Sequence, residues 1–189
     1  HRHYLSGLLS ARLGQNDEAL QAADALQAQS VMFSRDGARE KAAARARDYA
    51  LSIRVQLATN DGKYKEALTL LDRRQPETWW SMVAFVLSTS QAYERYLRAE
   101  SHFALGEYDE ALRWYSSLGY GASREFVYSP VSHLKRAEIY EKLGQFETAL
   151  KHYTRFVWFW KNCDLELKPL VDEIQLRIEQ LKSGPLAKK

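Results

Sequence analysis

One eight-residue phrase occurs four times in this chain. Leu13-Gly14-Gln15-Asn16-Asp17-Glu18-Ala19-Leu20 returns as Asp61-Gly62-Lys63-Tyr64-Lys65-Glu66-Ala67-Leu68. It returns again as Leu105-Gly106-Glu107-Tyr108-Asp109-Glu110-Ala111-Leu112 and as Leu143-Gly144-Gln145-Phe146-Glu147-Thr148-Ala149-Leu150. Each copy follows one amphipathic helical stretch and opens another. A helix–turn–helix unit of this size cannot bury its apolar face alone, so its copies must stack. The expected fold is therefore all-α. The surface of such an array, rather than an enclosed pocket, is expected to carry its function.

Each position of the phrase has a physical reason. Glycine suits the left-handed residue that ends a helix, where a side chain would clash. Tyr64, Tyr108 or Phe146, two residues on, can pack back across the turn. The alanine three further on sits where two helices cross closely, and a larger side chain would push them apart. In this pattern the chain resembles the tetratricopeptide repeat family. The small slot seven before each glycine holds Gly7, Val55, Ala99 and Ala137, with Val55 a mild departure. The alanine slot holds Ala19, Ala67, Ala111 and Ala149. The first copy departs most, with Asn16 in the aromatic slot and Ser10 where an aromatic is usual. The resemblance implies a superhelical array of antiparallel helix pairs, with repeats at about 1–34, 36–75, 77–121 and 130–163.

The glycines lie farther apart than the family period of about 34 residues, so helices or loops must be longer here. Residues 38–60 lack Gly and Pro and read as a lengthened helix. The stretch Thr78–Leu105, opened by Pro76, reads the same way. Gly119, Gly121 and Pro130 mark a loop in the third interval. After the fourth copy, Tyr153, Phe156, Val157 and Trp160 share a helix face that reads as core. Pro169 then opens a capping helix over 168–182, with Leu170, Val171, Ile174, Ile178 and Leu181 inward. Repeat arrays need such a cap. Lys188 and Lys189 belong to a frayed end over 184–189.

The chain has 189 residues, 27 basic, 24 acidic and a net charge of +3. That is long enough for one domain over 1–183. The charges are interspersed, which gives a solvated surface and argues against nucleic acid. The basic stretch from Arg35 to Arg47 alternates with Asp36, Glu40 and Asp48 and reads as a solvated helix face. No apolar run is long enough to insert into a membrane. Cys163 is the sole cysteine, so no internal disulfide exists. The chain starts at a histidine inside an apparent helix, and a longer protein is the expectation. A cytoplasmic setting is expected ahead of an extracytoplasmic part of a larger bacterial protein.

Catalysis finds no support. His1, His3, His102, His133 and His152 are scattered among the repeats, none at the spacing of a zinc helix. His102 falls in an aromatic slot and reads as packed core. There is no phosphate-cradling glycine loop and no nucleophile elbow. No catalytic residue, cofactor or metal is therefore expected.

The family rule for groove-lining positions selects Tyr4, Leu8 and Arg12, then Tyr49, Ser52, Gln56 and Thr59. It continues with Tyr93, Tyr96, Glu100 and Phe103, and ends with Leu134, Glu138 and Glu141. Four tyrosines in one groove offer area, low entropy cost and a hydrogen-bonding tip. Family members that grip chaperone tails place Lys and Asn at slots that here hold Tyr4, Leu8, Ile53, Tyr93 and Leu97, so that ligand is rejected. Glu100, Glu138 and Glu141 favour a ligand with apolar and basic side chains.

Trp158 lies with Lys151, Arg155 and Asn162 on the polar face of its helix, where a tryptophan suggests an interface. Packing against the cap helix or a nearby loop is the structural alternative. The tail also resembles the ends of many bacterial repeat proteins, through Tyr153, Arg155-Phe156-Val157, Trp160, Asp164, Glu166-Leu167, Pro169-Leu170-Val171 and Glu173. That resemblance implies the C-terminal docking or sensing part of a bacterial regulatory protein. Two functions are thus expected: a protein- or peptide-binding module, and a homo-oligomeric assembly through the array ends or Trp158.

Overall fold

The computed structural model describes residues 2–74, 91–119 and 123–183, which are helical with no strand among them. They fall into two compact units, His1–Glu107 and Tyr108–Lys189. The first holds α1 (Arg2–Arg12), α2 (Asn16–Arg35), α3 (Glu40–Asn60), α4 (Tyr64–Asp72) and α5 (Ala92–Ala104). The second holds α6 (Tyr108–Ser116), α7 (Ser129–Lys142), α8 (Phe146–Trp160) and α9 (Lys168–Ser183).

The repeated phrase makes the same turn each time. Gly14, Gly62, Gly106 and Gly144 have φ of 75, 71, 76 and 71°. The amide after each glycine reaches back to close the helix end, as Gln15 N–H to Ser10 C=O (2.9 Å) and Gln145 N–H to Tyr140 C=O (2.8 Å). The glycine amide bonds a carbonyl one position later, as Gly144 N–H to Glu141 C=O at 3.0 Å. These paired bonds satisfy carbonyls that the helix end would otherwise leave open.

Close crossing follows from the small residues. Ala19, Ala67, Ala111 and Ala149 are all 0 % exposed. Gly7 goes further: a Cβ there would lie 2.6 Å from Ile53 Cδ1 and 2.7 Å from Ala22 Cβ. Val55, the departure from the small slot, is accommodated as a fully buried residue in the cluster of Ala58, Ala67, Leu71 and Leu97.

In the first unit α1, α2 and α3 pack on one another, and α4 and α5 continue from α3. The helices α2 and α3 run for 20 and 21 residues, which supplies the extra length of the first interval. The reading of 78–90 as helix, with Pro76 at its entrance, lies outside the described residues. Beneath α3 and α5 sits a buried polar network. Arg74 Nη1 lies 3.3 Å from Glu94 Oε1, with the side chains 5 % and 8 % exposed. Ser52 Oγ accepts from Arg74 and donates to Glu94 at 2.7 Å, and Arg74 also donates to the Asp48 carbonyl at 2.7 Å.

In the second unit α7 packs on α6 and α8, and α9 closes against α8. Tyr153 and Phe156 join Val171, Ile174 and Ile178 in one core, with Val157, Trp160 and Leu181 at its edge. Two expectations need correction. Leu170 is exposed rather than inward, because it lies a step around α9 from Val171 and Ile174. Pro130 is not in a loop but in the first turn of α7, where its missing N–H leaves no bond unmade. The interval before it holds a 3₁₀ segment, Ser123–Tyr128. Gly121 and the end 184–189 lie outside the described residues.

Candidate functional site

The groove positions named from the sequence have different surroundings. In the first unit Tyr4 and Tyr49 are buried and stack on each other, centroids 4.2 Å apart and planes 15° apart. Burial pushes the Tyr4 phenol well above its ordinary range, and the nearby Glu94 carboxylate adds to the rise. Gln56 is also buried, donating to Asn60 Oδ1 at 2.6 Å. Tyr93 is partly buried, with the Arg12 guanidinium 4.8 Å above its ring. Tyr96, Glu100 and Phe103 are partly buried on α5, Tyr96 against the Val55–Leu71–Leu97 cluster. His102, read as core, is mostly covered and bonds Glu107 Oε2 at 2.6 Å.

In the second unit Glu138 and Glu141 line a cleft against α9. Arg177 grips Glu141 through both Nε and Nη2, and the Tyr153 hydroxyl donates to Glu141 Oε2 at 2.8 Å. Glu138 pairs with Lys135 at 3.0 Å. Burial raises the Tyr153 phenol to about 12, with Glu138 adding to it, so it stays a donor at neutral pH.

The residues that converge most were not singled out as a group by the sequence. A cleft of about 630 Å³ lies between the end of α6, one side of α7 and α8. Ser129, Ser132, His133 and Arg136 come from α7, and Lys151, His152, Arg155, Trp158 and Phe159 from α8. On a 3.6-residue helix, Ser129, Ser132 and Arg136 face away from Leu134, Glu138 and Glu141. The cleft is therefore not on the predicted groove face.

Trp158 stands at its mouth, 52 % exposed, edge-on to Phe159 at 5.2 Å. The Arg155 guanidinium lies 4.4 Å over the Trp158 ring and 5.1 Å over Phe159. Trp158 thus leaves about half of its surface open beside Phe126 and the end of α6. The histidines expected to be scattered include one close pair. His133 Nδ1 and His152 Nδ1 are 2.8 Å apart, and Tyr140 stacks on His152 at 5.4 Å. One ring must donate and the other accept, so the pair cannot bond with both rings protonated. The sequence showed Lys151, Arg155 and Trp158 on one face of α8. It gave no sign that α7 would bring His133 and Arg136 against them, because that depends on how the helices cross.

Burial lowers both histidines to about 4, and Arg136 pushes each further down, with Arg155 also acting on His133 and His133 on His152. The unfolded imidazole titrates near 6.5. The folded chain therefore keeps the pair's full contribution above pH 6.5 and loses it as the pH falls toward 4, where the unfolded chain takes up protons first. Allowing for solvent screening at these half-exposed rings, the loss is on the order of 1 kcal/mol. Urea melts between pH 7 and 4 should show it in the unchanged chain. A His133→Gln/His152→Gln variant should show a flatter profile, and an equal slope in both would disprove the assignment.

Among the described residues no cluster of three or more His, Cys, Asp or Glu could hold a metal ion. No described helix is long and apolar enough to cross a membrane. Residues 95–116 and 132–159 each match the tetratricopeptide repeat family. These segments contain the third and fourth copies of the phrase, on α5–α6 and α7–α8. No curated protein and no solved structure gives a significant match to the chain. With its four-fold phrase, its glycine turns, its buried alanines and these two matches, the chain is built of helix pairs of the tetratricopeptide repeat type.

Proposed function

We propose that this chain docks a protein or peptide partner, as the C-terminal docking or sensing part of a bacterial regulatory protein, and performs no chemistry itself. Tetratricopeptide repeats serve as protein-interaction scaffolds, which fits the two matched segments. The observation that carries the reading here is Trp158, half exposed at the mouth of the α6–α8 cleft. Exposed tryptophan is costly in water and enriched where partners bind. The bacterial regulatory setting rests on the tail residues from Tyr153 to Glu173 that resemble the ends of such proteins.

Trp158 also favours a second reading, association of copies of the chain through that surface. Light scattering across a roughly hundredfold concentration range separates the two. A constant mass of one chain is expected and supports partner docking. A mass that climbs with concentration, and stays at one chain in a Trp158→Glu variant, would replace docking by self-assembly.

A further inference from the structure

The charges around the α6–α8 cleft select one class of partner. We propose that the cleft binds an acidic peptide segment of a partner protein, with carboxylates on Arg136, Lys151 and Arg155 and an apolar side chain against Trp158. The proposal rests on the docking reading and gives that partner a chemistry.

The first support is an imbalance of charge. Several described arginines meet carboxylates: Arg54 pairs with Asp24 at 2.7 Å, Arg98 with Asp72 at 2.6 Å and Arg113 with Glu110 at 3.2 Å. Among the described residues no carboxylate pairs with Arg136, Lys151 or Arg155, and none lines the cleft. Arg136 Nε is buried with no acceptor, and an unmet buried donor is costly. A carboxylate offers a planar guanidinium two acceptors in matching geometry.

The second support is preorganisation. Arg155 is held over two rings rather than swinging free, so less entropy is lost when it meets an anion. The apolar walls of Trp158 and Phe159 lower the local dielectric and concentrate the field of the three cations. Burial keeps the neighbouring histidine pair neutral, and the Arg136 guanidinium adds to that effect. The cleft volume suits side-chain anchors of a peptide. A nucleic-acid strand would need a longer basic track than three cations on two helices.

The site also differs from the predicted groove. Arg136 lies on the side of α7 opposite Glu138 and Glu141, whose carboxylates already pair with Lys135 and Arg177.

The test uses the full chain and fluorescein-labelled short peptides of Asp and Glu around a central Leu-Phe pair. Controls are the Asn/Gln and Lys versions and a single-stranded oligothymidylate. The acidic peptide should bind at least about tenfold more tightly than the Asn/Gln version, and binding should weaken with salt. Arg136→Gln should weaken it about tenfold, and Lys151→Gln/Arg155→Gln at least as much. Trp158→Ala should also weaken it about tenfold. Lys151 and Arg155 are exposed, so their variant should fold normally and keep the test valid should Arg136→Gln not fold.

Acidic and Asn/Gln peptides binding equally, or full affinity in Lys151→Gln/Arg155→Gln, would overturn the cleft proposal. Tighter binding of the oligothymidylate would overturn its peptide assignment. Binding of the Lys or Asn/Gln peptide alone, unaffected by these variants, would remove the cleft but leave docking standing. Failure of every peptide class would remove both.

Discussion

Replacing Glu94 by Leu should lower the stability of the His1–Glu107 unit by about 3 kcal/mol in urea melts. The loss arises less from a missing attraction than from what remains. Arg74 and Glu94 are almost fully buried, and their charges face each other at 3.3 Å. Removing the carboxylate leaves a buried guanidinium with only the Ser52 hydroxyl and the Asp48 carbonyl as acceptors. Ser52 Oγ also loses its acceptor at 2.7 Å and keeps only the Asp48 carbonyl at 3.0 Å. Taking both charges away should repair most of the damage, because neither is then left unpaired. The Arg74→Met/Glu94→Leu variant is thus expected within about 1 kcal/mol of the unchanged chain. A single variant as stable as the parent would show that the pair is solvated rather than buried.

Ala149→Leu should destabilise the Tyr108–Lys189 unit by about 3 kcal/mol, the upper part of the usual range for overpacking. Ala149 has no exposed surface and belongs to the core with Ala137, Tyr153 and Phe156. Three extra heavy atoms there must separate α7 from α8 or force a neighbour off its rotamer. Leu is as good a helix former as most residues, so the loss cannot come from helix propensity. Guanidinium melts followed by near-ultraviolet dichroism would read it. A stable variant with unchanged spectra would mean that the crossing is looser than the buried alanine indicates.

The parts legible in the sequence were those governed by local rules. A left-handed glycine, an alanine at a crossing and a proline in a first turn each carry their own constraint. Four phrases in phase therefore place the turns and point to repeats of the tetratricopeptide type, which two segments match. The long α3 and the packing of Tyr153 and Phe156 under a cap helix also followed from composition and period. What the sequence concealed depends on the angle between helices. His133 and His152 are far apart along the chain and touch because α7 and α8 cross there. Tyr4 and Tyr49 were expected in an open groove, and they stack on each other inside the first unit. Pro130 opens a helix where a loop is expected, because a proline in a first turn and one in a loop carry the same letter.

The histidine pair, the three unmatched cations and Trp158 share one cleft, so a single spectrum can report on all of them. The decisive measurement is a two-dimensional nitrogen–proton spectrum of the full chain, titrated with the acidic Leu-Phe peptide. The Trp158 indole signal, assigned by its loss in Trp158→Phe, should move together with backbone signals of α7 and α8 around Arg136 and Arg155. An indole signal that stays fixed while the peptide is demonstrably bound, with shifts confined to α1, α3 and α5, would contradict docking at this cleft.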